Sequence, residues 1–509
     1  MKLTQTFLLA CAFLILCAAG SRAATLVVDT TADDAALTIC AAAAPNDCSL
    51  RGAIASAAAG DTITFDPGLF MITRTIRLTN GELFINKALT INGVGGVIVS
   101  GNNASRVFRV SGTFTTQINL SGMTITGGNS SSSSTGGGID KFNTTLTLTD
   151  MKITGNTASL AGGGIYSAAG GTLNIINSSV SDNTSGTDGG GITLLAAGST
   201  MTVNISGSNV TGNSARNGGG VFIQSAAGSA TNLTLTNSAI IANTATLGGG
   251  GYFYGSAFGT QSLTNVLISN NRAGTDGGGF AGRGTLTNVT VTNNFATGNG
   301  GGIVTGSPTI LRNSIAADNT ASGSDPDVSG AITSQGNNLV RNRGASVGYD
   351  PTDLPDGTNP LLDTLKNNGG LSPTYALAAG SPAINAGNNS LAAGASDQRG
   401  AGYARIVGGI VDIGAFEVQG STAASVNIRG RVLTEAGGGV PNAQVMISSS
   451  QAGVCFANTN PFGFYRFNGV PAGETYVFDV RSKRFLFATQ VLTVFEDTTD
   501  LNFTAQPKP

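Results

Sequence analysis

The chain has 509 residues, 75 of them glycine and 14 proline, with 11% charged residues and a formal net charge of −2 at pH 7. There is no basic stripe to suggest nucleic acid as a partner. The absence of any histidine excludes Ser-His-Asp and Cys-His nucleophile systems and histidine-based zinc sites.

The first segment, "MKLTQTFLLACAFLILCAAGSRA", carries Lys2, an apolar run from Phe7 to Ala19, and small residues Ser21 and Ala23. Residues 1–23 read as a secretory signal peptide. The run is too short for a membrane span, so the mature chain is expected to be secreted or on the cell surface, with no transmembrane span. Residues 24–60 read as a cap region. A strand-like stretch is followed by "NDCSLRGAIASAAAGD", a short Ala-rich helix capped by Asp47 or Ser49 and stopping at Gly60. Such a helix would cover the open apolar end of a strand stack. Cys40 and Cys48 lie eight residues apart in an exported chain and are expected to form a disulfide. Cys455 reads as a small buried hydrophobe in a strand.

Residues 61–320 repeat. Glycine triplets lead into Ile139, Ile165, Ile192, Val221, Tyr252, Phe280 and Ile303, at spacings of 23 to 31. Upstream of the triplets runs a second column: Asn156, Asn183, Asn213, Asn243, Asn271 and Asn294, with Asn319 after the last triplet. Apolar alternation precedes each asparagine, as in "MTVNISGSNVTGN". This period fits one coil of a parallel β-helix, each coil stacking on the last at about 4.8 Å. Glycine supplies tight corners and close approach of coils. The asparagines tolerate the left-handed conformation and form a side-chain ladder. Residues 321–420 lose the repeat and read as the irregular C-terminal end of the β-helix. "STAAS" at 421–425 reads as a linker, and residues 426–506 as a small antiparallel β-sandwich.

Four stretches resemble known families. "CSLRGAI" (Cys48–Ile54) is similar to the N-terminal signature of secreted bacterial β-helix proteins named for C-S-L-R-E-A, with Gly52 where the signature has Glu. The repeats resemble right-handed parallel β-helix repeats of the pectate-lyase-like superfamily, and those of polymorphic outer membrane proteins. "NNGGLSPTYALAAGSPAINAG" with "DQRG" and "DIGAFE" resembles the choice-of-anchor Q region, which closes the β-helix in that family. The segment with "GRVLTEAGGGVPNAQVMI" and "NPFGFYRFNGVPAG" resembles a carboxypeptidase regulatory-like domain. That likeness implies an accessory transthyretin-like sandwich and no peptidase.

Candidate chemistry is sparse. A calcium-dependent lyase needs an acidic cluster and a basic residue acting as base. Asp150, Asp182, Asp188, Asp276, Asp318, Asp325 and Asp327 are the acids of the repeat region considered, and Arg216, Arg272 and Arg283 the arginines. Asp325 and Asp327 form a D-x-D pair that could hold Ca2+, although a structural turn explains them better. If the residue after each glycine triplet points inward, the next points outward. That outward column contains Tyr166, Phe222 and Phe253, a possible stacking surface for sugars. The expectation is therefore a non-catalytic secreted or surface protein, structural, adhesive or glycan-interacting, with no catalytic residues and no required cofactor. The competing expectation is a calcium-dependent lyase acting on an acidic polysaccharide.

Overall fold

The computed structural model describes residues 23–41, 45–131, 135–256, 258–306, 309–419, 425–449 and 453–507. Residues 1–22 of the expected signal peptide and 421–424 of the expected linker lie outside them. The chain divides into two compact units, Met1–Val418 and Gln419–Pro509.

The first unit is a parallel β-helix. Ile165 sits over Ile192, then Val221, Tyr252, Phe280 and Ile303, every pairing parallel. This one-to-one register follows from the period-2 alternation, because a one-residue slip would turn the whole apolar set outward. The inward residues Ile165, Ile192, Val221, Tyr252, Phe280 and Ile303 are buried in one continuous core. Each such side chain contributes about 1.5–3 kcal/mol by burial. Lys141 also points inward. It is fully buried and donates to the carbonyl of Gly170, and burial lowers its ammonium to about 8.

The glycine triplets do two jobs. Their first members, such as Gly189 (φ 59°) and Gly218 (φ 59°), hold a left-handed backbone at the corner. The next two sit against the following coil: a Cβ on Gly190 would lie 2.4 Å from the carbonyl oxygen of Ser214, and one on Gly191 2.7 Å from that of Gly220.

The asparagine column is a buried ladder. Both the main-chain N–H and Nδ2 of Asn183 donate to Oδ1 of Asn213, at 3.0 Å each. The same double donation runs from Asn156 to Asn183, Asn213 to Asn243, and on through Asn271, Asn294 and Asn319. It stops at Asp327, whose carboxylate accepts from Asn319. The left-handed residues are not these asparagines but their predecessors, including Asp182 (φ 55°), Asn270 (φ 56°) and Asp318 (φ 60°). The ladder amides need a backbone that aims them inward, so the corner strain falls one residue earlier.

A second left-handed column marks another corner: Gly122, Asp150, Asn177, Gly207, Asn237, Asn265, Asn288, Asn313 and Asn337, with φ from 45° to 62°. Pairings of the preceding residues place these nine on successive coils.

The N-terminal strand Thr25–Val28 pairs in parallel with Thr62–Phe65 and so belongs to the stack. Helix Leu50–Ser56 follows, capped by Ser49, which accepts from Gly52 N–H. It ends before Gly60, where Lys87 Nζ donates to the carbonyls of Ala55 and Ala57. Cys40 and Cys48 are disulfide-bonded. A Cβ on Gly52 would lie 1.9 Å from the carbonyl oxygen of Leu37, so this position in the cap holds a glycine. Arg51 pairs with Asp33 at 2.6 Å and donates to the carbonyls of Gly81 and Glu82, tying the cap to an early coil.

Coils continue through Leu339–Val340. Val347 bridges Ala331, and residues 348–357 cover the last coil, with Leu354 N–H donating to the carbonyl of Asn338 and Gly357 N–H to that of Arg341; beyond them the chain returns along the stack. Asn337 Nδ2 donates to the carbonyl of Ala386, Asn313 Nδ2 to that of Asn388, and Asn265 Nδ2 to that of Ser396. Leu377, Ala383, Ile413 and Phe416 pack on Ile315, Ala317 and Leu339. The "DQRG" and "DIGAFE" words supply a buried ionic framework. Arg399 meets Asp397 at 2.6 Å and lies against the rings of Tyr403 and Phe416, while Arg405 meets Glu417 at 2.9 Å. A buried ion needs a partner and further hydrogen bonds; Arg405 also donates through its terminal nitrogens to the carbonyls of Gly414 and Phe416, while its Nε has no partner among the described residues.

The second unit is a β-sandwich. Strand Ser425–Leu433 pairs antiparallel with Phe464–Pro471 and parallel with Phe503–Thr504. Opposite it, Gly453–Asn458, Gln444–Ser449, Glu474–Arg481 and Gln490–Val494 form an antiparallel sheet. Its core includes Ile428, Val445, Tyr476, Phe478 and Phe503. Cys455 is exposed, contrary to expectation, because its strand is a sheet edge with no neighbour to cover it.

Candidate functional site

The outward column has the expected register: Tyr166 pairs with Thr193, Thr193 with Phe222, and Phe222 with Phe253. Its exposure differs from expectation. Phe222 is only 6% exposed. Phe253 lies parallel to it, with centroids 5.6 Å apart and an interplanar angle of 5°. Adjacent coils at strand spacing stack the two rings on each other, which removes Phe222 as a free sugar platform. Phe253 and Tyr166 are half-buried. Burial raises the Tyr166 hydroxyl, and the neighbouring Asp140 carboxylate adds to that rise.

The same face is more open towards the N-terminal coils. Register continues the column from Tyr166 back through Asp140 and Arg109 to Phe84. Phe84 is 46% exposed, and Phe142, two residues on from Asp140, is 48% exposed. The Arg109 guanidinium stands 5.5 Å from the Phe84 ring centroid and 3.8 Å from Glu82 Oε1, with its side chain 53% exposed. Arg106 is buried, and one of its nitrogens bridges Glu82 at 2.8 Å and Asp140 at 3.2 Å. Its other nitrogens donate to the carbonyls of Thr135 and Gly136. Burial raises the Asp140 carboxyl, against the pull of Arg106 and Arg109. This constellation escaped sequence reading because no glycine triplet precedes Phe84 or Phe108. The alternation in "LFI", "FRVS" and "IDKF" was the available signal.

Most of the remaining candidates are held in structural roles. Asp327 accepts from Asn319 through Oδ1 and from Asn342 N–H through Oδ2. Asp325 accepts from Ala345 N–H through Oδ1 and from the hydroxyls of Ser324 and Ser329 through Oδ2. The D-x-D pair is thus occupied by local bonds and does not converge on one ion. Asp188 accepts from Asn217, Asp276 from Asn299 N–H, and Asp318 pairs with Arg341. Arg272 lies over Phe295 and Arg283 over Tyr254. Among the described residues no three His, Cys, Asp or Glu side chains gather into a metal-holding group.

Residues 427–506 match the family model of the carboxypeptidase regulatory-like domain, and the second unit carries that domain. A solved structure, the crystal structure of pectate lyase Pel9A, aligns over 78% of this chain and 97% of that chain, at 16% identity and a TM-score of 0.46. No curated protein matches the chain. The parallel β-helix rests on the register given above. No helix among the described residues is long and apolar enough to cross a membrane.

Proposed function

We propose that this is an exported, non-catalytic β-helix protein that holds a glycan on its N-terminal outer face, with the terminal domain as an accessory attachment or binding module. The observation that carries this reading is the exposed group of Phe84, Arg109 and Phe142 on one sheet face. A sugar ring can lay its apolar C–H face on a phenyl ring. An exposed guanidinium can grip a uronate carboxylate with two parallel bonds. Arg106, beside it, has its donors committed to Glu82, Asp140 and two carbonyls. Glu82 and Asp140 offset the charges of Arg106 and Arg109, so the face offers an acidic polysaccharide one exposed cation, Arg109.

Affinity electrophoresis through gels containing polygalacturonate or alginate tests the reading. The mature protein should be retarded by an acidic polymer, and F84A and R109A should restore free mobility. Absorbance of unsaturated sugar product should stay flat with or without calcium. Calcium-dependent product formation would replace this reading with a polysaccharide lyase. Unretarded wild-type protein would remove the glycan.

A further inference from the structure

Where the returning chain covers the second left-handed column, Asn265, Asn313 and Asn337 read its peptide backbone, whereas Asn237 donates to the Ser396 hydroxyl and buried Asn288 has no hydrogen-bond partner among the described residues. Asn313 does so in both directions: its Nδ2 donates to the carbonyl of Asn388, and its Oδ1 accepts from Asn388 N–H at 2.9 Å. Asn337 and Asn265 grip the carbonyls of Ala386 and Ser396, and Asn209, beside the same corner, grips that of Leu371. The covering residues are small. At Gly387 a Cβ would already lie 3.2 Å from Asn313 Oδ1.

The cover then parts. Between Gly370–Leu371 on one side and Gln398–Ala401 on the other lies a cleft of about 570 Å³. Its floor is the same column at Asn237, Gly207 and Asn177. Asn177 is exposed, and its side-chain amide makes no hydrogen bond with the described residues. Leu371 forms an apolar wall and is 61% exposed. Arg399 brings no free charge, since its donors go to Asp397 and to the carbonyls of Asn368 and Glu417. One coil further on, the column presents the exposed acid Asp150.

We propose that this cleft binds an extended peptide from another protein, rich in glycine, alanine and serine, with a cationic residue towards Asp150. Asn177 would take one peptide unit as Asn313 takes that of Asn388, Leu371 would cover a small apolar side chain, and Asp150 would pair with the cation. The span from Gly207 to Asp150 is two coil steps, roughly 10 Å, which an extended chain crosses in about three residues at 3.3 Å each. Amides alone would also suit a neutral sugar. The peptide is favoured because four asparagines at this corner already hold main-chain carbonyls.

The test is fluorescence polarisation of full-length mature protein with a fluorescein-labelled hexapeptide, Lys-Ala-Gly-Asn-Ala-Ser. Saturable binding is expected. N177G should weaken it at least fivefold, the equivalent of one hydrogen bond of about 1 kcal/mol. Glycine keeps the left-handed backbone, as Gly207 and Gly122 do in the same column, so the thermal midpoint should not move. D150N should weaken the lysine peptide but not a version with alanine in its place. Binding that is absent, unaffected by N177G, or displaced by neutral xylohexaose would overturn the proposal.

Discussion

Replacing Asn213 with alanine removes four hydrogen bonds from a side chain that is 1% exposed. Their losses are unequal. Asn183 Nδ2 still donates to the carbonyl of Ile153, and Asn243 Oδ1 still accepts from residue 213 N–H. The main-chain N–H of Asn183 loses its acceptor, and the carbonyl of Val180 loses the Nδ2 donor. A buried orphan costs about 1–3 kcal/mol, so the whole change should cost about 3 kcal/mol. In a quasi-one-dimensional stack that cost is felt locally. Hydrogen exchange read by mass spectrometry should show protection around Asn183 falling about a hundredfold, the equivalent of that energy, together with a lower urea midpoint. Asn213→Asp keeps an acceptor for Asn183 but sets a carboxylate against Asn243 Oδ1 and Val180 O, so it too should destabilise. Unchanged exchange at Asn183 in N213A would refute the claim that the ladder carries load.

Three further outcomes follow from the same structure. Burial holds the Asp327 carboxyl up at about 6, against hydrogen bonds from Asn319 and Asn342. The folded state therefore binds this proton more tightly than the unfolded chain, and the stability so gained is present at low pH and lost as pH rises through about 6; the urea midpoint of wild type relative to D327N should fall between about pH 4 and 7, and a flat difference would contradict this. Gly52→Glu should destabilise by more than about 2 kcal/mol, because its Cβ meets the Leu37 carbonyl; a normal melting temperature would mean that the cap rearranges freely. Residues 425–507, with a core of their own, should fold as an isolated fragment, and dispersed amide signals by NMR would show it, whereas a collapsed spectrum would tie the sandwich to the β-helix.

Much of the β-helix was legible because coil stacking copies sequence period directly into space. Ile165, Ile192 and Val221 align by pattern alone, and even Tyr252, preceded by four glycines, falls in the expected register. The asparagine ladder could be anticipated for the same reason. What depends on neighbours outside the period was not legible. Pattern placed Phe222 outward but could not show Phe253 lying flat on it. It also could not show that residues after Gly357 turn back over the corner asparagines, since those contacts join positions such as Asn265 and Ser396, 131 residues apart. Phe84 and Arg109 sit in coils without a glycine triplet, so the repeat that revealed the other coils left these unmarked.

The asparagine ladder has a direction. Every rung gives two protons to the next, every rung after Asn156 receives two from the last, and only Asp327, which gives none in return, ends the series. An interior rung is therefore interchangeable with any other, while the terminus is not. Duplicating the segment between two rungs, for example 184–213, would insert a coil whose donors and acceptors match on both sides, lengthening the rod by about 4.8 Å without disturbing either end. Length in such a molecule is a quantity that gene duplication can adjust one unit at a time, and the single aspartate sets where counting stops.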